Sequence, residues 1–300
     1  MTCRAALTLC AALLGCAAAP PARAATVPLR PGEPPLPPDL LALTQKMEAL
    51  RVSSERFRLR AALTLSGRHV SREEQAFLKL LSIDLAGEAT LSPPAGSFTL
   101  TLLGHTFKLR IVHGAVFLYE RELARRDGGR PWIDLGRRGL GPLTQGLPSS
   151  AVATTFQSLA RALRGAQSAS ELGQGIADGL PVTGFRATVA ASALEEPPAP
   201  AKPSSILEGI FAQSAAAPSA GGTPTSAVVE ALIAPSGLPV STHISASSEE
   251  GSSSALLEVF AINFALRVQA PPRRQTIGLA ELRKRIEGPA HRRTAERRED

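Results

Sequence analysis

Cysteine is almost absent from this chain of 300 residues. The three that occur are Cys3, Cys10 and Cys16, all near the N-terminus. Beyond position 16 the chain can therefore form no disulfide, and it offers neither a thiol nucleophile nor a thiolate ligand for a metal.

Aromatic residues and catalytic motifs are also scarce. Ten Phe, one Trp and one Tyr make up only 4% of the chain, which disfavours carbohydrate binding because such sites usually present exposed aromatic platforms. The five His stand in neither H-E-x-x-H nor H-x-H spacing, and no G-x-S-x-G or G-x-x-x-x-G-K-[ST] motif occurs. The sequence predicts no enzyme, no metal site and no other cofactor.

The N-terminus has the pattern of an export signal over residues 1–24. Arg4 precedes the apolar run Ala5 to Leu14, which is long enough for a signal peptide and too short to span a bilayer. Two processing sites compete. Ala22-Arg23-Ala24 fits cleavage before Ala25, whereas Leu13-Leu14-Gly15-Cys16 resembles a bacterial lipobox, in which Cys16 would be acylated and begin the mature chain. We expect an exported protein, anchored by lipid at Cys16 on the outer face of the cell membrane or secreted after cleavage before Ala25.

Both ends of the remaining chain have unusual composition. Five prolines between positions 31 and 38 predict an extended tether over residues 25–38. From Arg273 to Asp300 there are nine Lys or Arg against five Asp or Glu, an excess of four within a total net charge of +7. The excess positive charge thus lies mostly in a tail, of which residues 289–300 are expected to be disordered. For an exported protein this favours contact with anionic lipid over nucleic acid.

Alternation of apolar and polar residues dominates the middle of the chain. From Arg56 to Ser66, and again in Ile83 to Leu91, every second residue is apolar, which predicts strands with one buried face. Similar short runs follow, separated by turn residues that include Pro93-Pro94-Ala95-Gly96, Gly104 and Gly114, so we expect a meander of antiparallel strands.

Helical spacing appears in two places. Leu41 to Arg51 predicts one amphipathic helix, and Gln145 to Gly175 predicts one or two more. Strands are expected to resume around Phe185, and again in Ala227 to Ala234, Val240 to Ser247 and Leu256 to Val268. The total is about ten strands and two or three helices. They form one domain, residues 39–288, with insertions at 71–81 and at the low-complexity stretch 196–225.

The ordered set of segments resembles the LppX/LprG-type lipoproteins of the actinobacterial envelope, which are related to the LolA/LolB lipoprotein carriers. The resemblance runs from about Leu41 to Arg285. Its segments are the LLGC lipobox, FRLRAALTLSG, IDLAGEATLS, FTLTLLG, FKLRIVHGAVFLYE, PWIDL, GLPVTGFRATVAASAL, ALIAPSGLPVSTHIS and APPRRQTIGLAELRKRI. It implies a mainly β (α+β) fold: a strongly curved antiparallel half-barrel with helices on its concave face and, between them, a cavity for lipid or glycolipid acyl chains.

The resemblance to these lipoproteins, together with the composition of the strands, predicts a candidate lipid-binding site. The strands have modest aliphatic inward side chains, which are hard to pack solidly across a large curved sheet. We therefore expect an acyl-chain cavity covered by the helices Leu41–Arg51 and Val152–Leu163, in a monomeric protein. Its predicted lining is Phe57, Leu59, Leu63, Leu85, Phe98, Leu100, Leu109 and Ile111. The alternative function is an envelope-stress sensor or protein-interaction lipoprotein on the same fold.

Overall fold

The computed structural model describes residues 36–65, 82–91, 93–102, 104–122, 129–136, 151–190, 193, 226–248, 251–282 and 284. They contain two long α-helices, α1 (Pro38–Ala49) and α2 (Ala151–Arg164), a 3-10 helix at Arg273–Gln275 and a helical stretch at residues 279–282. The strands are β1 (Ser54–Leu65), β2 (Ile83–Leu91), β3 (Pro94–Leu102), β4 (His105–Val112), β5 (Ala115–Tyr119), β6 (Trp132–Gly136), β7 (Ser168–Ala177), β8 (Leu180–Ala190), β9 (Ser226–Ile233), β10 (Pro239–Ser248), β11 (Gly251–Ile262) and β12 (Thr276–Gly278).

All twelve strands belong to one sheet, in the order β12-β6-β5-β4-β3-β2-β1-β11-β10-β9-β8-β7. Neighbours are antiparallel except for β12, which runs parallel to β6. The sheet is curved and does not close, so that β7 and β12 are its edges among the described strands. The half-barrel predicted from the sequence is thereby confirmed.

Strand β1 shows why alternation produces this sheet. Its inward residues Phe57 and Leu59 are buried, and the outward residues that alternate with them are three arginines. Each arginine pairs with a carboxylate on a neighbouring strand: Arg56 with Glu88 at 3.2 Å, Arg58 with Asp84 at 2.6 Å and Arg60 with Glu258 at 2.6 Å. Exposed pairs of this kind stabilise a fold only weakly, but a slip of one residue would bury the arginines, so the pattern fixes the register.

The two helices cover the inner, concave face of the sheet. Helix α1 begins with proline at its first position, where the missing N–H costs no hydrogen bond. Its buried residues and those of α2 join the inner strand residues in one apolar cluster; the helical members include Leu40, Leu43, Met47, Phe156, Leu159 and Leu163. An ion pair between Arg164 and Glu48 links the helices, and Lys46 Nζ donates to the carbonyl of Pro235 in the β9–β10 turn at 2.8 Å.

Strand β7 corrects the expectation of helix over Gln145 to Gly175. Of that range, the described helical part is α2, which ends at Arg164, and β7 starts at Ser168. An edge strand with little burial on either face shows no clean alternation, and Gly173 and Gly175 weaken any periodic signal. Strand β12, also missed, has only three residues. The turn expected at Pro93–Gly96 is shorter than predicted, because β3 already begins at Pro94.

The last antiparallel strand ends at Ile262, which corrects the prediction that it continues to Val268. Residues 263–272, which we call the outer strap, leave β11 and cross the convex face to reach β12 at the far edge. Asn263 makes the bend with φ of 58°, a left-handed value that Asn tolerates. Its Oδ1 accepts hydrogen bonds from the Ser53 N–H and hydroxyl at 2.8 and 3.0 Å, and its Nδ2 donates to the Arg51 carbonyl at 2.9 Å.

The outer strap keeps a period of two because alternate residues face the sheet. The Phe264 ring lies under the Arg56 guanidinium, and the Arg56 Cζ atom is 5.0 Å from the centroid of this ring. Val268 packs against a small outer cluster of Val112, Phe117 and Trp132. The same alternation that predicted a strand thus arises here from packing onto a sheet rather than from pairing within it.

A flat aromatic ring shapes the inner face at two glycines. A Cβ atom placed on Gly87 would lie 2.5 Å from Phe98 Cδ1, and one on Gly96 would lie 2.5 Å from the Phe98 Cε2 and Cζ atoms. The Phe98 ring therefore lies along the sheet, over both glycines, and only residues without a side chain fit beneath it. Glycine within strands also accommodates sharp bending of a sheet.

Several sequence expectations fall outside the described residues. These are the signal at 1–24 with Cys16, the tether apart from its last three residues, the insertions at 71–81 and 196–225, and the tail at 289–300. In the described part of the chain, no helix has the length and apolar character needed to cross a membrane.

The Phe98 contact yields a stability prediction. Gly87→Ala is expected to lower the free energy of unfolding by about 1–3 kcal/mol, the usual effect of overpacking, measured by urea denaturation. Gly175→Ala is the matched control, since nothing lies within 4 Å of its added Cβ. Adding Phe98→Leu to Gly87→Ala should cost less than the two single changes together; strict additivity would contradict the contact.

Candidate functional site

The predicted lining residues come together on the inner face. Leu100 is partly buried and packs against the core, and Leu63 lies in β1, although its side chain is not among those described. The other six are buried in the inner apolar cluster: Phe57, Leu59, Leu85, Phe98, Leu109 and Ile111. Their role as the lining of a lipid cavity stays a prediction.

Strand register arranges this surface in rows that run across the sheet. One row contains Leu59, Leu85 and Leu100. The next contains Phe57, Gly87, Phe98 and Leu109, and a third contains Glu55, Ala89, Gly96 and Ile111. The surface is apolar along the first two rows, and the third begins with a carboxyl group.

The second half of the sheet contributes as much to the inner face as the first. Alternate residues of β9 are buried in the inner cluster: Ala227, Val229, Ala231 and Ile233. Strands β8, β10 and β11 add Phe185, Ile244 and Leu257, among others. These positions were absent from the predicted lining, although the same alternation that identified the residues of β1 to β4 marks them in the sequence.

Glu55 is the most unusual group on this surface. Its side chain points inward between Ser54 and Arg56, which face the opposite side, and the residue is 1% exposed. Its Oε2 atom is buried and has no hydrogen-bond partner among the described residues. Burial raises the pKa of the Glu55 carboxyl from 4.5 to about 8, so the group is mainly protonated at neutral pH.

No charged side chain compensates Glu55 within the described residues. On the adjoining strands Glu88 and Glu258 face outward and pair with arginines, and the loop residue Arg51 is exposed. Lys46 and Glu48 of α1 are engaged with Pro235 and Arg164. Desolvation is accordingly the sole cause of the shift in the Glu55 pKa.

A second buried polar atom without a partner lies on strand β10. Thr242 is 1% exposed, and its Oγ1 has no hydrogen-bond partner in the described structure. It stands opposite Leu257 of β11, which in turn stands opposite Leu59. Among the described strand residues, the inner face is thus apolar apart from Glu55, Thr242 and Ser253, and the first two have a buried polar atom without a partner.

The outer face carries a different kind of feature. A shallow recess of about 380 Å³ is lined by Arg58, Asp84, Ala86, Thr99, Thr101 and Phe260. Its charges are already paired, since the hydrogen bond from Arg58 holds the pKa of the Asp84 carboxyl below its usual value. Among the described residues no group of three or more His, Cys, Asp or Glu could hold a metal ion.

The unique aromatic residues also belong to the outer face. Trp132 packs edge-on against Tyr119, with ring centroids 5.2 Å apart, and the Arg110 guanidinium stacks 4.9 Å above Trp132. Arg110 Nη1 also donates to the carbonyl of Gln269 in the outer strap at 3.3 Å. These rings hold the outer strap against the sheet and do not face the inner surface.

Comparison with known proteins gives likenesses in structure alone. No protein-family model and no curated protein sequence matches the chain. The lipoprotein LppX of Mycobacterium tuberculosis is 16% identical, with 77% of this chain and 99% of that chain covered and a TM-score of 0.44. LprF of Mycobacterium bovis is 13% identical over 79% and 98%, with a TM-score of 0.40. The MucA/MucB complex of Pseudomonas aeruginosa gives 12% identity over 79% and 60%, with a TM-score of 0.30.

The chain resembles LppX/LprG-type lipoproteins, as its order of segments predicted. At these identities and TM-scores the likenesses assign no ligand and no family membership to this chain. What this chain binds must be argued from its own inner face.

The buried carboxyl predicts a pH dependence of stability. The folded protein holds the Glu55 proton up to about pH 8 and the unfolded chain only to about pH 4.5. Between these values the folded state binds the extra proton, so stability falls by about 1.4 kcal/mol for each unit by which the pH rises, and levels off above pH 8. Glu55→Gln, followed by urea denaturation from pH 5 to 8, should remove this slope. An unchanged slope in the variant would show that Glu55 ionises freely in the folded protein.

Proposed function

We propose that this protein is an exported envelope lipoprotein that binds the acyl chains of a lipid or glycolipid between its helices and the inner face of its sheet, and acts as a lipid carrier. The observation that carries the proposal is the composition of that face. It is apolar over nearly the whole sheet, and in the described chain it is covered by only two helices of 12 and 14 residues.

The shape of the inner face supports the same proposal. Phe98 lies flat over Gly87 and Gly96, so the largest side chain of β3 takes up little height above the sheet. Leu100, in the neighbouring row, is only partly buried. A surface of this kind can accept flexible hydrocarbon, and helices packed on it can shift to admit a chain.

Burial alone supplies the energy for such binding. Transfer of acyl chain out of water contributes about 0.8 kcal/mol for each buried CH₂ group, so no nucleotide, metal or covalent chemistry is required. We therefore assign the protein no catalytic role. Binding by burial is non-directional and should discriminate little between chains of similar length.

The anchor and the two terminal segments complete the proposal. Cys16 would be acylated, and residues 25–38 would tether the domain, residues 39–288, to the outer face of the cell membrane. The partners are then lipid acyl chains and the membrane, and the protein acts as a monomer. A lipid-anchored carrier could collect its ligand directly from the bilayer surface.

Lipid binding can be separated from stability at one position. Leu100→Trp is expected to reduce the lipid that extracts into organic solvent from the purified protein several-fold, while the urea midpoint changes little, because the indole enters space that lipid would occupy. In a solidly packed core the same change should cost about 1–3 kcal/mol. The measurements are mass spectrometry of the extract and denaturation of the same variant.

Thr99→Trp is the matched control, because Thr99 neighbours Leu100 on β3 but is exposed on the outer face. It should alter neither lipid content nor midpoint. A wild-type protein without lipid, combined with lost stability in Leu100→Trp, would contradict the carrier function.

That outcome would favour the second candidate, a sensor or interaction lipoprotein. The observation that supports it is edge strand β7, where Leu172 is 55% and Ile176 is 80% exposed beside main-chain groups that pair with no described strand. An exposed edge with apolar side chains is a suitable surface for a partner's strand.

The anchor has its own test. Cys16→Ser is expected to release the protein from the membrane fraction to the medium, because the acyl attachment atom is lost. Intact-mass analysis of the wild type should show a mature chain that begins at an acylated Cys16. A wild-type N-terminus at Ala25 would show that the protein is secreted without an anchor.

A further inference from the structure

We propose that Glu55 holds the polar part of the bound lipid, by a hydrogen bond between its uncharged carboxyl group and an uncharged oxygen of the ligand, such as an ester carbonyl or a hydroxyl. The inference rests on the proposed lipid-binding function and adds the chemistry of the ligand. It assigns a lipid whose acyl chains are joined through oxygen-bearing groups, rather than a plain hydrocarbon or a cationic lipid.

The position of Glu55 fits this role. It lies at the end of β1 nearest α1, where residues 50–53 connect the helix to the sheet. From this end the apolar residues Phe57 and Leu59 continue along the same face. Leu59 lies four residue steps along the strand from Glu55, about 13 Å at the rise of an extended chain. A lipid whose polar group meets Glu55 can thus lay its chains along β1, across the two apolar rows.

The row that begins with Glu55 has small residues on the two strands next to it. Across β2 and β3 its next members are Ala89 and Gly96, and the tip of the Phe98 ring lies over Gly96. The small residues of β2 and β3 and the Phe98 ring thus border the carboxyl, which is buried with them on the inner face.

The energetics explain why such a group is informative. A buried polar atom without a hydrogen bond destabilises a fold, and aliphatic residues of similar size would avoid that cost. Glu55 Oε2 is such an atom, on a surface where most of the described side chains are apolar. A ligand that supplies the missing partner recovers the lost hydrogen bond on binding, which favours oxygen-bearing lipids over hydrocarbon.

The charge state decides which partner fits. Desolvation keeps the carboxyl protonated at neutral pH, so that it offers one O–H donor as well as acceptor oxygens. An ester carbonyl can accept from this donor, and a hydroxyl can both accept and donate. A cationic headgroup would instead require the ionised form, which burial disfavours.

The test compares two probes that share an eighteen-carbon chain, dioleoylglycerol and octadecane, each loaded from detergent micelles at pH 6 onto the full-length protein and measured by mass spectrometry. Glu55→Leu should bind octadecane as the wild type does, but dioleoylglycerol about fivefold to tenfold more weakly, the loss of one hydrogen bond between uncharged groups. Glu55→Gln should retain most of the affinity for dioleoylglycerol, because its amide N–H can donate in place of the acid.

Thr242→Val is the matched control, because it removes the other buried polar atom without a partner. Both Glu55→Leu and Thr242→Val should raise the melting temperature of the ligand-free protein, but only Glu55→Leu should lose the preference for dioleoylglycerol. An equal loss in both variants, or equal binding of dioleoylglycerol by wild type and Glu55→Leu, would overturn the role of Glu55 and leave lipid binding intact. A wild type that binds neither probe would instead overturn the proposed function.

Discussion

Everything in this structure depends on a single constraint: a sheet of twelve strands must keep one face dry without closing on itself. Alternation along each strand supplies that face, with Phe57 and Leu59 inward and arginines outward on β1. Because the curved sheet remains open, its apolar side cannot cover itself as it would in a closed barrel. The cover comes from α1 and α2, which belong to the same apolar cluster as the strands.

The sequence predicted the parts of the fold that alternation or helical spacing marks clearly. Strands β1 and β2 and the two helices lie close to where their patterns placed them. The sequence did not predict elements whose residue pattern depends on where they lie in the folded structure. Strand β7 has no buried face to mark it, and the outer strap alternates although it pairs with no strand along 263–272.

The candidate site was predictable in its apolar part and hidden in its polar part. The inward residues of β1 to β4 follow from the pattern, whereas Glu55 is a charged residue at the start of a strand, a position where solvent exposure is usual. Only the register, which places it beside Ala89 on the inner face, shows it to be buried. The roles of Gly87 and Gly96 could not be predicted either, because the sequence does not indicate that the Phe98 ring lies over these two glycines.

The pairing of β1 with β11 has a consequence for how the chain can reach this structure. These strands lie near opposite ends of the domain and are joined by a full ladder from Glu55–Ile262 to Leu65–Gly251. Until β11 has been synthesised, β1 and β10 are both open edges, and no pairing between described strands joins the two halves of the sheet. Contacts so distant in sequence form slowly, because a long loop must close first. A chain that completes its sheet only with its last long strand cannot reach its folded state until nearly the whole domain has been made, and it is a polypeptide without its final fold that can be threaded through a membrane pore.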